Sequence, residues 1–335
     1  MYYKYVYMNI FFHFVIFCLV VFFYLHMKAQ YKVSEDLEIY ELDYTDNQHL
    51  QEICDAKQPI LFLYKEQVPE LFEAINSHSP LLTGENPYDL KVKDSTEYMS
   101  LDETINSDVE NVFVPGATAI TLMNTDTSSK YYSENNHSFI EENGLIPLFR
   151  ANDEYLKPHF GLQTKYDIIV GSKKTSTPLQ YHTAYRKYLC VNSGNIRIKM
   201  TPWSNMKYMN VIKNYDTLEF YTNMNAWKPQ DCFRKNYDKI KFLEFNVKEG
   251  HILYIPSYWW YSIQFTDGLD SVVTGFSYST IMNSCAHLPD TCLHFIQQLN
   301  TKQKLTKTLD TKQFEVATEE PTVASDEEQN DETTE

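Results

Sequence analysis

The chain has 335 residues, 43% of them hydrophobic, with 26 Tyr and 20 Phe. That is enough apolar material for one large core or two modest ones, in an aromatic balance suited to β-structure. A formal net charge of −16 rules against a nucleic-acid binder, which needs a basic face, and six widely scattered cysteines rule against a small disulfide scaffold.

The first element is apolar. Residues 10–25 are hydrophobic or aromatic throughout except for His13, sixteen positions against the roughly 20 that span a bilayer. Tyr2, Tyr3, Tyr5, Tyr7 and Tyr24 flank this run as interfacial anchors, so residues 1–30 read as an uncleaved, single-pass membrane anchor. A cleaved signal peptide is the rival reading, although the sequence around Met27 to Gln30 lacks a small-x-small site. Lys4 on one side faces Lys28 and Lys32 on the other, which leaves the side of the membrane undetermined.

Residues 31–299 form the expected folded domain. A polar approach leads to an apolar strand at 58–64 (QPILFLY), and then to helical spacing at 68–75 with Pro69 in the first turn. Short strands are expected at 89–93, 111–115 and 118–123, and a short helix at 139–150, weakened by Gly144 and Pro147. Asn136-His137-Ser138 fits a glycosylation acceptor if the domain is lumenal. The second half is β-rich, with strands expected at 167–171, 178–182, 186–192, 195–201, 240–247, 251–255, 258–265 and 271–278. Many short strands divided by turn residues indicate a sandwich or barrel, with its core at about 165–280. A helix is expected over 284–299.

Two barrel segments carry the chemistry: Thr177-Pro178-Leu179-Gln180-Tyr181-His182, and Tyr254-Ile255-Pro256-Ser257-Tyr258-Trp259-Trp260-Tyr261. Together they resemble the cupin-like and JmjC-type 2-oxoglutarate oxygenases, asparaginyl-hydroxylase-like members among them, whose segments usually read T-P-L-H-Y-D and Y-I-P-x-x-W-W-H. The resemblance implies a mainly β fold, a double-stranded β-helix (jelly-roll) with flanking helices behind the transmembrane helix. In the family, two His and one carboxylate hold iron, and H-x-D suits a strand because i and i+2 share a side.

The alignment puts Gln180, His182 and Tyr261 at the three ligand positions. One imidazole, one amide and a phenol of ordinary pKa about 10 make a poor ferrous site. By the same resemblance the cosubstrate would meet Thr177, Tyr188 and Arg197 or Lys199, with Ile196 where the family often has Lys. Tyr258, Trp259 and Trp260 would line the cleft. The resulting expectation is a non-catalytic binding or scaffolding relative, without cofactor, that engages a protein partner. The alternative is an active Fe(II)/2-oxoglutarate-dependent protein hydroxylase with atypical ligands.

Cys285-Ala286-His287 and Cys292-Leu293-His294 repeat a C-x-H unit at an interval of seven. On a helix that interval spans about 10.5 Å, too far for one zinc ion, so a heptad-spaced core face is expected, with 284–299 as a candidate homodimer contact. Residues 300–335 form an acidic tail. Its last 21 positions hold nine Asp or Glu and no Lys or Arg, more than half of the net charge, and are expected to be disordered.

Overall fold

The computed structural model describes residues 2–83, 86–101 and 111–300. The acidic tail expected after residue 300 lies outside them. Among these residues fifteen strands form two sheets, numbered in chain order. The larger sheet runs β1 (Tyr40–Leu42), β2 (Ile60–Leu63), β13 (His251–Ile255), β8 (Arg186–Ser193), β15 (Val272–Thr280), β6 (Gly161–Gly171), β5 (Tyr131–Ser133), β3 (Asp89–Asp94) and β4 (Val112–Pro115). The smaller runs β10 (Val211–Asn214), β11 (Glu219–Thr222), β7 (Leu179–Tyr181), β14 (Trp260–Phe265), β9 (Asn195–Thr201) and β12 (Leu243–Lys248). Every pairing is antiparallel except β1 with β2.

From β6 to β9 and again from β12 to β15, successive strands alternate between the two sheets. That alternation is the expected jelly-roll. The β8–β9 corner needs a glycine: Gly194 sits at φ +67°, and a Cβ there would lie 2.7 Å from the Asp270 carbonyl oxygen.

Strand periodicity explains the core. In β9, Ile196, Ile198 and Met200 point between the sheets, where they meet Leu189, Val191, Leu253, Ile255, Trp259, Ile263, Phe265 and Val273. The larger sheet is buried on its other face too, where Tyr188, Cys190, Ile252, Tyr254, Phe276 and Tyr278 lie under Leu50, Cys54, Phe149 and Leu156. The first two of these covering residues come from the helix Asn47–Cys54, whose Asp46 side chain accepts the His49 amide at 2.9 Å as an N-cap. Each large apolar side chain fully removed from water contributes roughly 1.5–3 kcal/mol.

Four sequence expectations are corrected here. Residues 118–123 form part of a helix, Gly116–Thr125, rather than a strand: Ala119, Leu122 and Met123 are buried at helical spacing after Pro115. Asn136 is 3% exposed and donates to the Ser133 hydroxyl and the Ile168 carbonyl, so it is no glycosylation acceptor. Cys285 and Cys292 are exposed, which removes the heptad core face; His287 is the buried member of that constellation. The helix over 284–299 is two helices, Ile281–Ala286 and Leu288–Asn300.

At the other end of the chain, the helix Tyr2–Gln30 includes a span, Asn9–Gln30, of mean hydropathy 2.4 that is buried nowhere in the fold. It is long and apolar enough to cross a membrane, a property that signal sequences share.

Candidate functional site

A cleft of about 420 Å³ opens at the end of the sandwich where β7 leaves the smaller sheet. Antiparallel register sets Gln180 of β7 directly opposite Tyr261 of β14, and their side chains line the cleft. His182, two residues beyond Gln180, also lines it, with its ring 6.2 Å from that of Tyr261. The structure therefore brings together Gln180, His182 and Tyr261, the three positions aligned with the family's metal ligands.

The other sequence candidates do not line the cleft. Thr177 is buried, with its hydroxyl accepting the Ile263 amide at 3.0 Å and its carbonyl accepting the Ser262 hydroxyl at 2.6 Å. Tyr188 points to the far face of the larger sheet, where its phenol accepts from Gln51 Nε2 at 3.2 Å. Arg197 and Lys199 lie on the outer face of β9, because Ile196 and Ile198 take the inner one. There they flank the Trp227 ring at 5.1 and 4.9 Å and pair with Glu244. Tyr258 and Trp260 pack behind the smaller sheet with Tyr181 and Trp203, while Trp259 fills the core.

What fills the base of the cleft is a group the sequence reading passed over. Lys187, on β8, donates to the Tyr261 phenol at 2.8 Å. Burial works against its charge, but Tyr261, Glu134 and Asp167 outweigh it and hold the ammonium above its usual pKa. Beside it, Gln180 Nε2 donates to Glu134 at 3.1 Å. Glu134 also binds Lys93 at 2.8 Å, and Lys93 binds Glu219 at 2.7 Å. Lys93 is 1% exposed, and Glu219 further accepts from Tyr98 and Asn135 at 2.9 Å each. Burial alone would raise the Glu219 carboxyl; the nearby Lys93 and Lys91 ammonium groups instead bring it down to about 2.

His182 is held neutral. Its Nε2 lies 3.0 Å from the Ile255 carbonyl, which can only accept, so that nitrogen carries the proton. Its Nδ1 is buried without a hydrogen bond of normal geometry. Burial first, and the Lys187 charge second, push its pKa down to about 3. Tyr261 is raised by burial, with Lys187 opposing, and stays a phenol at neutral pH.

These donors do not fit ferrous iron. One imidazole nitrogen, one amide and one neutral phenol stand where the oxygenase resemblance implies two imidazoles and a carboxylate, and the phenol oxygen already accepts from an ammonium. A divalent ion within roughly 5 Å of that ammonium would be repelled by about 7 kcal/mol at an effective dielectric constant of ~20. Among the described residues, no cluster of three or more His, Cys, Asp or Glu is placed to hold a metal.

No curated protein matches the chain in sequence. The sequence model of the cupin-like domain matches residues 46–283, well over half of the chain and every strand of the jelly-roll core, and so this chain belongs to the cupin-like domain family.

Proposed function

We propose that this protein is a membrane-anchored, non-catalytic member of its family, in which the cleft binds or scaffolds a protein partner and performs no oxidation. The observation that carries the reading is the Lys187 ammonium on Tyr261, a fixed positive charge beside the family's metal position. A monovalent cation built into the fold supplies local charge, but it has no open coordination site and cannot bind oxygen or change redox state. The cleft wall offers instead opposed charges (Lys187, Glu134), an amide (Gln180) and hydroxyls (Ser277, Ser279), a lining suited to a polar peptide side chain. The apolar span at the amino terminus supports tethering to a membrane.

The alternative, an active Fe(II)/2-oxoglutarate hydroxylase with atypical ligands, requires Lys187 to move or lose its proton. Incubating the full-length protein with Fe(II), ascorbate and 2-oxoglutarate while following succinate separates the two. The binding reading expects succinate no faster than in protein-free controls. Turnover that disappears in His182→Ala would sink it.

A further inference from the structure

The helix Leu288–Asn300 is amphipathic with its faces reversed. Asp290, His294 and Gln298, four residues apart, share the side that meets the body of the domain. The Tyr215 phenol donates to Asp290 at 3.5 Å, His294 Nδ1 donates to the Tyr215 carbonyl at 2.6 Å, and Gln298 Nε2 reaches the Asp216 carbonyl and carboxylate at 3.0 Å each. The opposite side carries Leu288, Cys292, Phe295, Ile296 and Leu299, spaced i, i+4, i+7, i+8 and i+11, all exposed, with Leu299 at 70% and Phe295 at 63%. A surface helix ordinarily turns such a stripe inward. Ile281, on the preceding helix, is also 52% exposed. A contiguous patch of this kind marks a surface that something covers.

The chain itself indicates what covers it. The apolar span ends at Gln30, and the next residue is fastened to the root of this helix. The Tyr31 phenol donates to the Ala286 carbonyl, and its ring lies 5.4 Å from that of His287. Lys57 Nζ donates to the Ala29 and Gln30 carbonyls at 3.1 Å each, so the end of the span is held against the domain at a second point. The stripe therefore begins where the span leaves the bilayer. Lys28, Lys32 and Lys57 surround that exit, a basic margin suited to anionic headgroups.

We infer that the helix Leu288–Asn300 is an interfacial membrane helix. Its Leu288, Cys292, Phe295, Ile296 and Leu299 face enters the lipid surface beside the amino-terminal span and fixes how the cleft domain sits on the membrane. The inference rests on the membrane-anchor reading above. A span alone is a single tether about which the domain swivels; a second, interfacial contact next to it restricts that rotation. The cleft mouth is tied to the same place, since His287, Leu288 and Thr291 form part of its rim. Its partner would then be met close to the membrane surface.

The test uses the full-length chain in nanodiscs of phosphatidylcholine with a minority of phosphatidylserine. Cys292 carries an environment-sensitive fluorophore after Cys18→Ser, Cys232→Ser and Cys285→Ser. A Lys248→Cys label on a chain that also has Cys292→Ser, at the barrel end away from His182, is the control. Spin-labelled lipid should quench the Cys292 label about twofold or more and leave the control unchanged. Phe295→Glu with Ile296→Glu should abolish that quenching while the chain still floats with vesicles through its span. A Cys292 label with water-like, unquenched emission overturns the inference. So does a shielded label that lipid does not quench but that transfers energy between copies, because a second chain then covers the stripe. Chains that fail to float with vesicles remove the anchor reading and this inference together, an outcome that flotation reports separately from quenching.

Discussion

Replacing Lys93 with Met tests the charge network beneath the cleft. Lys93 is 1% exposed, bridges Glu134 and Glu219 at 2.8 and 2.7 Å, and lies 5.5 and 5.8 Å from the ring centres of Tyr98 and Tyr132. Methionine keeps most of the aliphatic stem, so the substitution removes charge more than packing. It leaves two buried carboxylates with Lys91, 3.8 Å from Glu219, and Lys187, which interacts with Glu134, as the remaining neighbouring cations. Removing one partner of a buried pair costs about 3–5 kcal/mol. The displacement of Glu219 from 4.5 to about 2 gives a similar figure, about 3 kcal/mol. Because the folded-state pKa is depressed, this stability is fully present above pH 4.5 and is lost as pH falls through about 2. In Lys93→Met the direction reverses: the unpaired Glu219 carboxyl titrates above its unfolded value, so acidification from pH 7 to pH 5 relieves the penalty. Urea unfolding in detergent, followed by Trp fluorescence, should show a loss of about 3–5 kcal/mol at pH 7 that shrinks by about 1 kcal/mol or more at pH 5. A loss under about 1 kcal/mol, or one equal at both pH values, would refute the claim that this ammonium holds the Glu219 carboxylate ionised.

Other consequences are more local. His182, with its pKa near 3 against 6.5 unfolded, contributes stability that is complete above pH 6.5 and is lost as pH falls toward 3. Its imidazole NMR signals should therefore stay fixed between pH 5 and 8, and titration near 6.5 would contradict the burial argument. Restoring the family's ligands with Gln180→His, His182→Asp and Tyr261→His should give only weak Mn(II) binding. Adding Lys187→Met should tighten it at least about tenfold, by removing the built-in cation; equal affinities in calorimetry would deny Lys187 that role. Burial pushes the Cys54 thiol up to about 12 and raises Cys190 as well. Neither should react with iodoacetamide until the protein is unfolded, as peptide mass spectrometry would record.

The jelly-roll was legible because its strands are short, apolar and punctuated. All eight strands expected in the second half overlap observed ones, and β9 displays its two faces openly as Ile196 and Ile198 against Arg197 and Lys199. The site was harder to read. In β8 the residues from Tyr188 to Val191 are all buried, because both faces of the larger sheet are covered, so the pattern does not reveal which residues point inward. The resemblance offers Tyr188 as a cosubstrate contact and the residue pattern equally allows it as core; it is core, and its neighbour Lys187 is the one that faces the cleft. The Lys93 network joins residues 41 and 126 positions apart, a juxtaposition that no local pattern encodes. Strands β10 and β11, which bring Glu219 to the cleft, went unread although Val-Ile-Lys-Asn and Glu-Phe-Tyr-Thr flank a polar turn. Residues 118–123 suggest a strand because Thr118, Ile120 and Thr121 are β-branched, but the buried Ala119, Leu122 and Met123 recur at helical spacing.

The most direct test of the central claim is an anaerobic calorimetric titration of Fe(II) into the full-length protein, with and without 2-oxoglutarate. The account predicts no stoichiometric binding in either case, because the Lys187 ammonium on Tyr261 would repel a divalent ion bound beside Gln180, His182 and Tyr261. One equivalent of iron bound at low micromolar affinity or better, and tightened by 2-oxoglutarate, would contradict it.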